Sequence, residues 1–144
     1  MADFTGIDTN LPKLGQVNPR TVQDLGALIT LTAAGAGTTT GPVQYNTSSR
    51  GMRAVVNLTK NSGTIDVTLN IYTIDKASGQ AILRLASVSL TATGVTEYIV
   101  HPDLTAAANT IAKNFIGEQW RCDIVSGVGT SPVFTLTVGA CLLP

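Results

Sequence analysis

Residues 52–71 read MRAVVNLTKNSGTIDVTLNI, and the fold turns on them. In the second half Ile65, Val67, Leu69 and Ile71 alternate with Asp66, Thr68 and Asn70. In the first half Met52, Ala54, Val56 and Leu58 share one parity, and Arg53, Asn57 and Thr59 the other. A period of two puts the apolar side chains of each run on one face of a strand. Between the runs Asn61-Ser62-Gly63 supplies residues that tolerate the positive φ of short hairpin loops. The stretch predicts a β-hairpin with one buried face. A lone hairpin is marginal in water, so the rest of the chain must supply a second layer.

Working outward, further short strands are expected. Ala27–Ala33 is a first strand, closed by Gly35, Gly37 and Gly41-Pro42. Val43-Gln44-Tyr45 reads as an edge strand, because Pro42 cannot donate to a ladder. Asp75-Lys76-Ala77-Ser78-Gly79 is a turn, with Asp and Ser side chains able to bond the nearby backbone. Ala81–Leu90 carries Ile82, Ala86 and Val88 on one face and Leu83 and Leu85 on the other; apolar residues on both faces mark a central or subunit-covered strand. Val95–Val100 returns the chain, and 102–115 reads as a loop with one helical turn near Ala106-Ala107-Ala108. Gln119–Ser126 points Trp120, Cys122 and Ile124 inward and Arg121 and Asp123 outward. A loop spans 127–132, and Val133–Leu143 buries Phe134, Leu136, Val138, Ala140 and Leu142.

Seven or eight short strands joined by Gly, Pro, Asn and Ser turns signal an all-β fold. The expected architecture is a two-sheet antiparallel sandwich, jelly-roll-like, over residues 27–144. Residues 1–26 hold no lasting period and read as an extended N-terminal arm, anchored by Phe4, Ile7, Leu11 and Leu14. In this reading the Trp120 and Phe134 strands cover the central hairpin.

Composition narrows the function. Charged residues are 12% of 144, with nine basic and nine acidic side chains and no net charge. That balance lacks the basic footprint of a nucleic-acid binder. So sparsely charged a surface suits one covered by other subunits better than a free monomer. Met1–Asn10 lacks a basic region followed by an apolar run, and no segment has the length of a membrane span. Cys122 and Cys141 fall on opposite faces of their strands, so a disulfide is not expected and a reducing compartment is.

Chemistry finds little foothold. The one histidine, His101, sits before Pro102 with Glu97 and Asp103 nearby, but Ser87 and Ser89 carry no nucleophile-elbow motif. One His and two Cys on different faces do not make a tetrahedral metal site. The carboxylates are dispersed, and Gly35-Ala36-Gly37 is not followed by a helix. No catalytic residue, metal or cofactor is expected. Trp120 reads as core, while Tyr72 and Tyr98 are candidates for the outer surface.

An ordered series of motifs carries a resemblance. It comprises Arg50-Gly51-Met52-Arg53-Ala54-Val55-Val56-Asn57-Leu58-Thr59, Ile74-Asp75-Lys76-Ala77-Ser78-Gly79, Ala92-Thr93-Gly94, His101-Pro102-Asp103-Leu104-Thr105-Ala106-Ala107-Ala108-Asn109, Trp120-Arg121 and Val138-Gly139-Ala140. Over residues 46–144 the series resembles a group of small tailed-phage virion proteins. Their pattern has an R-G-V start, a D-P-A-S-G turn, a Y-P-G-L-T-x-x-x-N stretch, a W-R-V strand and a V-G-A-S end. This chain departs from it at Lys76, His101, Asp103 and Cys122. The resemblance implies a β-sandwich head decoration or cement protein, placed in the capsid and assembled in the bacterial host cytoplasm. Its partners would be the major capsid protein and other copies of itself, with neither nucleic acid nor membrane. The alternative is a tail or head-fibre module that binds a host surface glycan. Candidate contacts are Phe4, Ile7, Leu11 and Leu14 on the arm, Val43 and Tyr45 on the edge strand, and Leu83 and Leu85 on the two-faced strand.

Overall fold

The structure, a computed structural model, describes residues 23–127, 129 and 132–144. They form ten strands: β1 (Gln23–Ala34), β2 (Gly37–Thr40), β3 (Gln44–Tyr45), β4 (Gly51–Ser62), β5 (Val67–Ile74), β6 (Ala81–Ala86), β7 (Gly94–Val100), β8 (Ile111–Ala112), β9 (Gln119–Ser126) and β10 (Val133–Leu143). Sheet A has the order β1-β10-β4-β7-β8. Sheet B has the order β2-β9-β5-β6, with β3 also on β9. The short β7–β8 pair is parallel and the rest are antiparallel. The all-β sandwich stands, with ten strands in place of seven or eight.

The pairs are nested. β1 lies on β10, β2 on β9, β4 on β7, and β5 on β6. A chain folded back on itself and then wrapped around a core gives this order, which is that of a jelly roll. One expectation falls here: residues 52–71 are not a hairpin. β4 sits between β10 and β7 in sheet A, while β5 sits between β9 and β6 in sheet B. Gly63, at φ 72°, begins the connection that takes the chain between sheets about 10 Å apart. Alternation specifies which face of a strand is buried, not which strand lies beside it. Two strands facing each other across a core carry the same pattern as two side by side. β10 and β7 take both edges of β4, which leaves none for a hairpin with β5.

The two inner faces make one core. Met52, Ala54, Val56 and Leu58 of β4 and Phe134, Leu136, Val138 and Leu142 of β10 line sheet A. Val67, Leu69 and Ile71 of β5 and Trp120, Cys122 and Ile124 of β9 line sheet B, all nearly inaccessible to water. The covering layer thus differs from the one expected: Trp120 flanks β5 within sheet B, and Phe134 flanks β4 within sheet A. Tyr98, a candidate for the outer surface, is fully buried. It shares parity with Val100 and pairs with Ala54, so it points inward.

Other boundaries moved. β1 begins at Gln23 instead of Ala27. β2 was not anticipated, since Thr38, Thr39 and Thr40 show no apolar alternation. β6 ends at Ala86, and Leu90 makes an isolated bridge to Val67. Within 102–115 no helix forms; the segment turns and adds β8. Residues Phe4, Ile7, Leu11 and Leu14 lie outside the described residues, as do 128, 130 and 131 of the loop at 127–132.

The turn after β5 matches its reading. Gly79 N donates to Asp75 O at 2.7 Å and Ser78 N to Asp75 Oδ2 at 2.9 Å, with Gly79 at φ 71°. The Ser78 hydroxyl and amide hold the Asp75 carboxyl below its ordinary range. The thiols lie on opposite faces, both buried and free. Burial, with Asp123 adjacent, pushes Cys122 up to about 12.

A bulge corrects the reading of β6. Ile71 pairs with Leu85 but Tyr72 pairs with Leu83, so Arg84 is the extra residue. The parity of β6 changes there. Leu85 turns inward and is 5% exposed; Leu83 turns outward and is 50% exposed. Leu85 is therefore a core residue and not a surface contact. Leu85→Ala should cost about 2–4 kcal/mol, and Leu83→Ala within about 0.5 kcal/mol, in urea unfolding. In the native protein at pH 8, alkylation of Cys122 should be slower than that of a free thiol by roughly a thousandfold or more. Mass spectrometry should find both cysteines modified only after unfolding.

Candidate docking face

The outer face of sheet B carries two of the exposed large apolar side chains, Tyr45 and Leu83, beside Tyr72. The register builds two rows across it. One runs Tyr45–Gln119–Ile74–Ala81 across β3, β9, β5 and β6. The next runs Arg121–Tyr72–Leu83 across β9, β5 and β6. Tyr45 is 66% exposed, and Val43 and Leu83 are also open to solvent. Strands sit about 4.8 Å apart, so the first row spans roughly 15 Å and the second about 10 Å. Two predicted contacts, Tyr45 and Leu83, therefore share one surface, and Val43 lies just ahead of β3. Tyr72 faces the same way, as expected of it.

The charges on this face are neutralised in pairs. Arg121 Nε donates to Asp123 Oδ2 at 3.2 Å; Oδ1 lies 3.1 Å from Nε but makes no hydrogen bond. Asp123 points outward as predicted, yet it is buried beneath its neighbours. The Arg121 guanidinium also stands 5.7 Å from the centre of the Tyr72 ring. At the end of the face Lys76 Nζ donates to Glu118 Oε1 at 3.0 Å. Tyrosine, leucine and a stacked arginine on a patch of little net charge is a composition typical of binding surfaces.

Sheet A presents a different exterior. Two of its rows read Thr30–Thr137–Asn57–Val95 and Thr32–Thr135–Thr59, polar apart from Val95, which is 68% exposed. A groove of about 310 Å³ lies among Asp24, Gly26, Arg53, Val55, Gly139 and Cys141. It exists because Gly26 and Gly139 bring no side chain into it.

His101 is engaged by the main chain. Its Nε2 donates to Pro144 O at 2.8 Å, and Nδ1 accepts from the Asp103 N–H at 3.2 Å. Both ring nitrogens are thereby occupied. Asp103 itself pairs with Arg50, which stands over Phe115. Among the described residues no three His, Cys, Asp or Glu side chains converge as metal ligands do.

No family model matches the chain, and no curated protein sequence matches it. Solved structures do. A chain of the infectious bursal disease virus VP2 subviral particle superposes with a TM-score of 0.52 at 12% identity, over 85% of this chain and 32% of that one. A chain of the Gt strain of that virus gives 0.52 at 14%, over 85% and 33%. One from its T13 viral particle gives 0.51 at 12%, over 85% and 30%. This chain spans about a third of the length of those proteins. At such identities the likeness establishes a shared β-sandwich fold with virus-particle proteins.

The partly buried Arg121–Asp123 pair sets a testable cost. Arg121→Met alone strands a buried carboxylate and should destabilise by about 2–3 kcal/mol. Adding Asp123→Asn should recover most of that loss, measured as a double-mutant cycle in urea.

Proposed function

We propose that this chain is a structural virion protein, a head decoration or cement subunit that docks on the major capsid lattice through the outer face of sheet B. The observation that carries this reading is the placement of Tyr45, Tyr72 and Leu83 on one outer face around an internally paired Arg121. Such a face binds by burial and shape, with no charge that must be stripped of water unpaired. The phage-like motif series between residues 46 and 144 supports the reading, as does the fold shared with virus-particle proteins. A low total of charged side chains agrees with a molecule that spends its working life against neighbours.

The mechanism is additive burial. A half-exposed Leu or Tyr gains about 1–2 kcal/mol when covered, at roughly 25 cal/mol per Å². The cost of association is of the same order as a few such contacts, so one copy grips weakly. Copies held side by side on a lattice reinforce one another through effective concentration. A glycan-binding adhesion module is the second reading. It is favoured by the open ring of Tyr45 beside the Tyr72–Arg121–Asp123 cluster.

The test mixes the purified chain with capsid shells stripped of it and follows co-sedimentation. Tyr45→Ala should weaken shell binding on the order of tenfold, and Val43→Ser somewhat less. Binding to shells that ignores both substitutions removes this face from the mechanism. Binding to a host polysaccharide that Tyr45→Ala abolishes, with none to shells, favours the adhesion module.

A further inference from the structure

We propose that copies of this chain join through the free edge of β6. That strand runs antiparallel to β6 of a second copy about a two-fold axis near Ile82, and sheet B continues across the contact. Among the described residues β6 has one strand partner, β5, and ends the sheet. Its sequence, AILRLA, is that of a strand inside a sheet. Ile82 is 44% exposed, and Leu83, on the opposite face, is half exposed; Val88, just beyond, is 55% exposed. Natural edges are blunted by lysine, proline, inward charge, bulges or covering loops. The bulge at Arg84 and the Asn109 contact protect the far end of β6, and Ala81–Leu83 has none of these devices. A strand with apolar side chains on both faces is either central or covered by a partner. The fold places β6 at an edge, which leaves the partner.

The one charge on the strand is withdrawn from the edge. Arg84 is the bulged residue, and its Nε donates to Thr73 Oγ1 at 3.1 Å. A second nitrogen reaches Asn114 Oδ1 at 3.4 Å. The far end of the edge is already taken, since Asn109 Nδ2 donates to Ala86 O at 3.0 Å. What stays open is the neutral segment before the bulge.

The neutral and self-complementary register of the open segment selects a second copy as the occupant. Pairing about Ile82 sets it against its own symmetry mate and Leu83 against Ala81, so no like charges meet. Cross-strand apolar pairs of this kind stabilise antiparallel ladders. The arrangement is isologous, so every contact is made twice. Ile82 and Leu83 with the open strand edge cover on the order of 300 Å² per copy, below the range of stable specific interfaces. The dimer is therefore weak in dilute solution and strong where copies are concentrated, as on a surface that binds many of them.

Sedimentation equilibrium of the full chain tests this, with no shell present. The wild type should shift from monomer toward dimer between micromolar and millimolar concentration. Ile82→Lys should stay monomeric throughout, because it sets a positive charge against itself on the axis. Mixing Ile82→Lys with Ile82→Glu should restore association, at least about tenfold tighter than either alone. Circular dichroism and urea midpoints show whether both variants keep the fold. Tyr45→Ala should leave the dimer unchanged, which separates this contact from the shell-binding face. A wild type that is monomeric at millimolar concentration overturns the proposal. So does an Ile82→Lys variant that dimerises like the wild type, or a folded charge-swapped pair that does not associate.

Discussion

The whole structure depends on β4 and β5 facing each other instead of lying side by side. Met52, Ala54, Val56 and Leu58 look across the sandwich toward the layer that holds Val67, Leu69 and Ile71, and every one of these side chains is dry. Once the chain crosses between sheets at Gly63, each strand needs two lateral partners from elsewhere. β10 and β7 supply them on one side, β9 and β6 on the other. Most ladders therefore join residues far apart in sequence; of the antiparallel ladders, only β5–β6 links successive strands. Non-local pairing of that kind folds slowly, and open edges are hazards while it proceeds.

The same arrangement explains where the surface chemistry lies. Both inner faces are committed to the core, so binding must use the outer faces and the edges. The exterior of sheet A mixes threonine, asparagine and glycine with Val55, Val95, Ile99 and the Arg53–Glu97 pair. That of sheet B carries aromatic and aliphatic side chains and an arginine whose charge is met by its own neighbour. A protein built to bind nucleic acid would leave such cations free. Here the Arg121 charge is met by Asp123 and the Tyr72 ring. The His101 corner fits the same picture, since its imidazole fastens the end of β7 to Pro144 and the turn at Asp103.

How much of this was written in the sequence depends on the element. β9 and β10 were readable to the residue, because apolar residues recur at every second position, from Trp120 to Ile124 and from Phe134 to Leu142. The Asp75–Gly79 turn was readable because its residue types fix its geometry. The partner of each strand was not, since alternation carries no record of sheet membership. Leu85 was misassigned because a bulge shifts parity, and nothing in AILRLA announces the bulge. Tyr98 was misplaced because Val95 and Ile99 are as apolar as its own face. β2 escaped notice because consecutive threonines have no period. On the candidate face, Tyr45 and Leu83 were named from edge and two-face arguments. Their placement on one surface, and the place of Arg121 beside them, required the register of four strands.

The central claim is that this sandwich works by sitting on a coat lattice. A reconstruction of the intact particle tests it most directly, with the ten-strand fold placed in the density. The account predicts the domain on the head, in copies that follow the lattice, with the Tyr45 and Leu83 side of sheet B against coat subunits. Finding the domain outside the head, or on the lattice with that face turned to solvent, would contradict it.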